Sequence, residues 1–273
     1  MTDTTSVRSP AVAGRFYPAD GPELEALLDR LMGTRPSRSP SGVLLAMVPH
    51  AGYVYSGGVA GATYGEISVP EHVLLLGPNH TGRGAQRSLW GAGAWRTPLG
   101  DIPIADDLVE SLRQHVQLSD DSEAHLYEHS LEVQLPFLKR LQPALCIAPV
   151  CLGRLTQEQC LELGAEFARA LRDFNRPVLI VCSTDMSHYI PAKSAERLDR
   201  LALSHVQAVA PELLYETVTK NRISMCGFIP TTVGLSAARA LGASEGRLVR
   251  YTNSGEVTGD FASVVAYAGA ILS

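Results

Sequence analysis

Several large classes of protein are excluded by what this chain has little of. Its five cysteines are an odd number without close pairing in 273 residues, which argues against a disulfide framework and for a reducing compartment. Cys146, Cys151 and Cys182 lie in or beside apolar runs, where a thiol packs as a small hydrophobe. Basic charge is also scarce: 23 Lys and Arg stand against 28 Asp and Glu, a net charge of -5, so the basic surface that nucleic acid requires is missing. No apolar run approaches the roughly 18 residues of a membrane span, and the opening MTDTTSVRSPAVAG lacks the basic start and apolar core of a signal peptide. The expectation is a cytoplasmic protein with neither nucleic acid nor membrane as partner. No linker, low-complexity tract or short repeat interrupts the chain, so residues 1–273 read as a single domain.

What the chain does have is a repeated construction. An apolar run, Val43 to Val48, stops at Pro49 and is followed by His50 and small residues. The same pattern recurs at Val73–Leu76, which leads through Gly77, Pro78 and Asn79 to His80, and at Val178–Cys182, which leads to Asp185 and His188. Continuous apolar runs of this length read as buried parallel strands. In an open α/β sheet the carboxyl ends of such strands share one edge, where ligands bind. Any one of these histidines could be a capping or surface residue; together they predict a site.

The remaining elements follow from local pattern. Pro10–Asp20 has no periodicity and is expected to lie over the domain as an irregular segment, with residues 1–9 loose. Leucines at helical spacing predict a helix over Glu23–Met32, and Arg35–Ser41 reads as a loop. Tyr53 and Tyr55 fall in a glycine-bracketed loop before a small-residue helix, Gly57–Ile67, that completes a βαβ unit. Thr81–Gly100 is expected to form short strands or a hairpin extending the sheet, and Ala105–His115 a helix. Ser130 is a candidate cap for an amphipathic helix whose stripe is Leu131, Leu135 and Leu138, with Glu128 and His129 just before it. Leu145–Leu152 reads as a strand, Thr156–Leu171, Ser194–Val209, Pro211–Lys220 and Thr231–Leu241 as helices, and the chain finishes in two β-rich stretches. The predicted class is α/β, with a central, mostly parallel mixed sheet flanked by helices.

Histidine nitrogen and cysteine sulfur suit iron, copper or zinc, whereas oxygen ligands alone would indicate magnesium or calcium. His50 and His80 are two candidate ligands from neighbouring strand ends. A third could be Asp185, completing a two-His, one-carboxylate triad, or Cys226 in RISMCGFIP, giving a softer site. Asp185 is placed to orient His188 or to favour its charged form, and His129 and Glu128 are further candidates for handling a proton, while Tyr53 and Asn79 flank the histidines as candidate substrate contacts.

The segments PAVAGRFYP, PHAGYVYSG, LLLGPNH, WRTPLGD, YEHSLEVQLPFL, STDMSHY and MCG, in that order, resemble the Memo family across nearly the whole chain. That family is similar in fold to the class III extradiol dioxygenases, which use non-heme iron. The resemblance implies that His50, His80 and Cys226 hold one metal ion and that His188 is placed for proton transfer. The dioxygenases have a carboxylate where MCG puts a cysteine, so their activity does not transfer with the fold; an iron- or copper-dependent oxidoreductase of unknown substrate is the expected function. The alternatives are a non-catalytic module binding a peptide or partner in the same cleft, and a zinc-dependent hydrolase. The resemblance also implies a functional association with radical-SAM and AMMECR1-like proteins.

Overall fold

The computed structural model describes residues 6–33 and 42–273, so the predicted loop at Arg35–Ser41 lies outside the described residues. The chain runs β1 (Val7–Arg8), α1 (Gly21–Met32), β2 (Leu45–Val48), α2 (Tyr53–Gly65), β3 (His72–Pro78), β4 (Arg87–Leu89), β5 (Ala94–Thr97), β6 (Gly100–Pro103), α3 (Asp106–His115) and β7 (Ser119–Asp120). A 3-10 turn, Glu132–Gln134, leads into α4 (Leu135–Leu141), then β8 (Cys146–Leu152), α5 (Gln157–Phe174), β9 (Val178–Ser183) and β10 (His188–Ile190). The rest is α6 (Ala192–Gln207), α7 (Pro211–Asn221), α8 (Phe228–Leu241), β11 (Gly246–Asn253), α9 (Gly255–Thr258) and β12 (Val264–Leu272).

The four apolar runs become the parallel centre of a nine-stranded sheet, in the order β2, β9, β3, β8. Every residue of β2, β3 and β8 is buried, as continuous apolar composition requires of strands covered on both faces. Antiparallel β12 continues the sheet beyond β2, with β10 and β11 paired to it, and antiparallel β4 continues it beyond β8. Leu45 on β2 lies under α8 at Gly234, while Gly269 on β12 lies under α2 at Thr63. Met47 pairs with Ala270, so these contacts are on opposite faces, and α2 and α8 sandwich the sheet. Among the described residues no helix is long and apolar enough to cross a membrane.

Several local expectations are corrected. Helix α2 begins at Tyr53, so the two tyrosines occupy its first turn rather than a loop. The stretch after His80 divides: β4 extends the main sheet, but β5 and β6 form a hairpin that pairs with β1 in a separate three-stranded sheet. Ser130 does not cap a helix. Its hydroxyl donates to the carbonyl of Pro78 at 3.2 Å and its N–H to Glu128, and a 3-10 turn intervenes before α4.

The N-terminus supplies the largest departure, because Val7–Arg8 is a strand and Arg8 is 2 % exposed. Its guanidinium pairs with Glu132 at 2.7 Å, donates to the carbonyls of His125 and Glu128, each at 2.8 Å, and lies 4.2 Å over the Trp95 ring. The Glu132 carboxylate also accepts from the N–H groups of Ala11 and Val12 and from the hydroxyl of Tyr17. Residues 8–17 are thus held against the 3-10 turn by a buried charge pair whose hydrogen-bonding capacity is used. Removing one member of such a pair leaves an uncompensated buried charge. Glu132→Ala should lower the unfolding free energy by roughly 3–5 kcal/mol in urea titration; a loss below about 1 kcal/mol, the range of an exposed pair, would contradict this anchor.

Candidate metal centre

The site is assembled at the carboxyl ends of the parallel strands. His50 follows β2, and its backbone N–H donates to Asp185 Oδ1, just past β9, at 2.8 Å. His80 follows β3. The two strands are not neighbours, as the sequence suggested, because β9 lies between them; the histidines converge across its end with ring centroids 5.1 Å apart. His129 joins them from the segment before the 3-10 turn, stacked on His80 at 4.8 Å and edge-on to His50 at 5.3 Å. One ligand atom from each of His50, His80 and His129 lies within 4.8 Å of the others. Sequence pattern placed His129 with the proton-handling residues; its position makes it a third metal-capable donor. Cys226 Sγ stands 3.2 Å from His50 Nε2.

Two glycines permit this convergence. A Cβ at Gly227 would approach the Ser183 carbonyl oxygen to 2.4 Å, so only glycine lets the chain beside Cys226 touch the end of β9. A Cβ at Gly77 would meet Leu131 at 2.6 Å and Ser130 at 2.8 Å, which would push the segment bearing His129 away from β3.

Hydrogen bonding assigns the imidazole tautomers. Ser183 Oγ must donate its proton to the Ser130 carbonyl, an acceptor only, at 2.7 Å, and it accepts from Gln134 Nε2 at 2.8 Å. His50 Nδ1, 2.9 Å from the same oxygen, is therefore the N–H donor, and Nε2 is bare. Glu128 acts likewise on His80, accepting from its backbone N–H at 2.6 Å and from Nδ1 at 2.9 Å. This is the arrangement by which metal-binding histidines are oriented from behind.

Electrostatics agree with that assignment. Burial, then the neighbouring His80, His129 and His188, holds His50 well below its usual range, and burial lowers His129, which keeps both in the neutral form a metal needs. For His80 burial is outweighed by the hydrogen bond and charge of Glu128, and its pKa rises. Burial would raise Glu128, but its contacts with His80, Ser130 N–H and His129 bring it down to about 2. It is thus a fixed carboxylate that positions His80. Burial raises Asp185 to about 6 despite its bonds to the N–H groups of His50 and Ala51. Burial and then Asp185 push the Cys226 thiol upward, so ligation would have to displace its proton.

The other expected residues are distributed around this group. Asp185 does not orient His188: the His188 Nδ1–H donates to the Ser224 carbonyl at 2.9 Å, and its backbone N–H to Ser224 Oγ at 2.7 Å. Tyr53 is 3 % exposed and its hydroxyl donates to the Val133 carbonyl, so it braces the turn from behind instead of meeting a substrate. Asn79 does line the cleft of about 560 Å³ that opens beside His80 and Cys226, although its amide is engaged within its own loop, with Thr81, Gly82 and Arg83. Sequence reasoning missed Ser183, Gln134 and Ser224 as supporting groups. Gln134 carried a legible signal, a polar residue on the leucine stripe of its segment, because a buried amide needs partners.

A mixed α/β sheet bearing a histidine cluster at its strand ends defines an α/β protein with a site able to hold a metal ion. The comparisons specify the family. The family model described as Memo-like protein matches residues 8–271, and the chain belongs to the Memo family. A MEMO1 family protein of Aquifex aeolicus is 44% identical over 268 residues, covering 97% of this chain and 98% of that protein. One of Methanopyrus kandleri is 39% identical over 277 residues, covering 97% and 98% respectively. In fold the chain is also similar to an uncharacterized protein of Escherichia coli K12, with a TM-score of 0.54 at 12% identity over 84% of this chain and 99% of that one.

The tautomers can be checked directly. In protein without added metal, at a pH high enough to deprotonate His80, long-range 1H–15N NMR should place the ring proton of both His50 and His80 on Nδ1. A proton on Nε2 of either ring would undo the assignment.

Proposed function

We propose that this chain binds one iron or copper ion through His50 and His80, with His129 and Cys226 as the further protein donors, and serves as an oxidoreductase. The single observation that supports this most is that the tautomers of His50 and His80 leave Nε2 bare on both rings, beside His129 and a thiol. The donor set fits: imidazole and sulfur suit iron, copper or zinc, and a buried thiol ligand favours the softer ions. A redox-active ion bound there would supply one-electron chemistry toward oxygen or an organic substrate.

The chain's own residues do the rest. Glu128 and Ser183 orient the two imidazoles, and Asp185 holds the turn at His50 through backbone N–H groups. The backbone N–H of Asp185 points at Cys226 Sγ from 3.2 Å, a donor that favours the thiolate. His188 holds or passes a proton, since Ser224 occupies its Nδ1–H and leaves Nε2 as the acceptor, near enough for its charge to act on His50 and Asp185.

Anaerobically purified protein should carry one iron or copper ion per chain, and His50→Ala or His80→Ala should strip it without unfolding the chain. Comparing His129→Ala with Cys226→Ser ranks the remaining donors. His188→Gln should keep the metal and lower metal-dependent oxygen consumption by roughly a hundredfold or more, the scale of a lost general acid or base. Unchanged metal content in both His50 and His80 variants overturns the site, undiminished oxygen consumption removes His188 from the chemistry, and redox-silent zinc turns the reading toward hydrolysis.

A further inference from the structure

Each of the four central parallel strands delivers a side chain at its carboxyl end. For β2, β9 and β3 these are His50, Asp185 and His80; for β8, ending at Leu152, the corresponding polar residue is Arg154. Arg154 lines the same cleft as His80 and Cys226. Its guanidinium forms no ion pair among the described residues, and no Asp or Glu lines that cleft. Glu128 and Asp185 sit behind the histidines, buried, with their oxygens occupied. The neighbouring Gln86 has the same polarity of use: Oε1 accepts from the backbone N–H of Arg154, so its amide NH2 is left as a donor without an acceptor among the described residues. The cleft thus offers a cation and a neutral donor at one part of its wall and metal-capable donors at another, with no carboxylate to compete. Its volume of about 560 Å³ suits a small molecule.

We propose that the substrate of this centre is a small molecule bearing an oxyanion, a carboxylate or a phosphate, which Arg154 receives while the reacting part faces the metal. This rests on the metal reading above and adds the substrate class to it. Arg154 is exposed at the cleft wall; a planar guanidinium binds either oxyanion in two-point fashion, and charge-assisted hydrogen bonds are stronger than neutral ones.

Hydroxamates test this without knowledge of the substrate, because they chelate iron, copper and zinc alike. Metal-loaded protein would be titrated calorimetrically with butanohydroxamate and with hydroxamates of graded length ending in a carboxylate or a phosphonate. At the tail length that spans the cleft, an anionic probe should bind about tenfold tighter than the neutral one, the scale of one charged hydrogen-bonded contact. In Arg154→Gln that preference should vanish while metal content and the neutral probe's affinity stay as in the parent. Arg83→Gln, which removes an equal charge from a guanidinium lying over Tyr127 outside the cleft lining, should keep the preference. Whichever tail is preferred identifies the oxyanion. No preference at any length, a preference that survives in Arg154→Gln, or an equal loss in Arg83→Gln overturns the inference while leaving the metal site standing. Protein that takes up no metal overturns the metal reading, and this one with it.

Discussion

The carboxylate of Glu132 is the constraint from which much of this structure hangs. It is fully buried and satisfied by a guanidinium, two backbone N–H groups and a phenol, all from residues 8–17. A charge in that position is tolerated only when it is paired and its lone pairs are filled. In the folded state the N-terminal segment must therefore lie across the 3-10 turn. The same contact has consequences for the site, since Arg8 also ties down the carbonyls of His125 and Glu128. Phe16 then packs 5.0 Å from His129, and its carbonyl accepts from the N–H of Tyr53 at the start of α2. The strap and the segment bearing Glu128 and His129 are one unit.

That segment works in two directions. Toward solvent it contributes His129 and, through Glu128, the orientation of His80. Toward the core it contributes Gln134, whose amide bonds the Pro49 carbonyl and Ser183 Oγ and whose oxygen accepts from Tyr64. A polar chain thus runs from β2 through Ser183 to the turn, and each member is paired. Buried networks of this kind resist rearrangement because any shift strands a donor or acceptor in a region of low dielectric. Ser183 and Glu128 hold the imidazoles of His50 and His80 from behind in this way, and His50 Nε2 faces Cys226 Sγ.

Much of the fold was legible because its signal is local. Three of the four parallel central strands announced themselves as apolar runs ending in a turn and a polar side chain, and the fourth as the apolar run Leu145–Leu152. The dominant helices announced themselves as periodic leucines or small residues. His50 and His80 were legible for the same reason, as side chains placed at a predictable edge. The strand Val7–Arg8 was not, because two residues have no periodicity, and the burial of Arg8 depends on Trp95 and Glu132, far along the chain. Asp185 was legible as a strand-end residue but its hydrogen bond was not; proximity in sequence suggested that it orients His188, whereas the loop turns its carboxylate back to the N–H of His50 and leaves only its charge to act on His188.

By itself, then, the amino-acid sequence determined the central strands and main helices, the sheet edge on which His50 and His80 lie and the family, since these depend on hydrophobic period, strand-ending residues and motif order. Only the tertiary structure decided that β9 enters between β2 and β3, that His129 closes on His50 and His80, and which nitrogen of each imidazole is free. Those are matters of register and hydrogen-bond geometry between segments separated by up to 133 residues, and no local pattern carries them: the same His-bearing strand ends in another strand order would not meet.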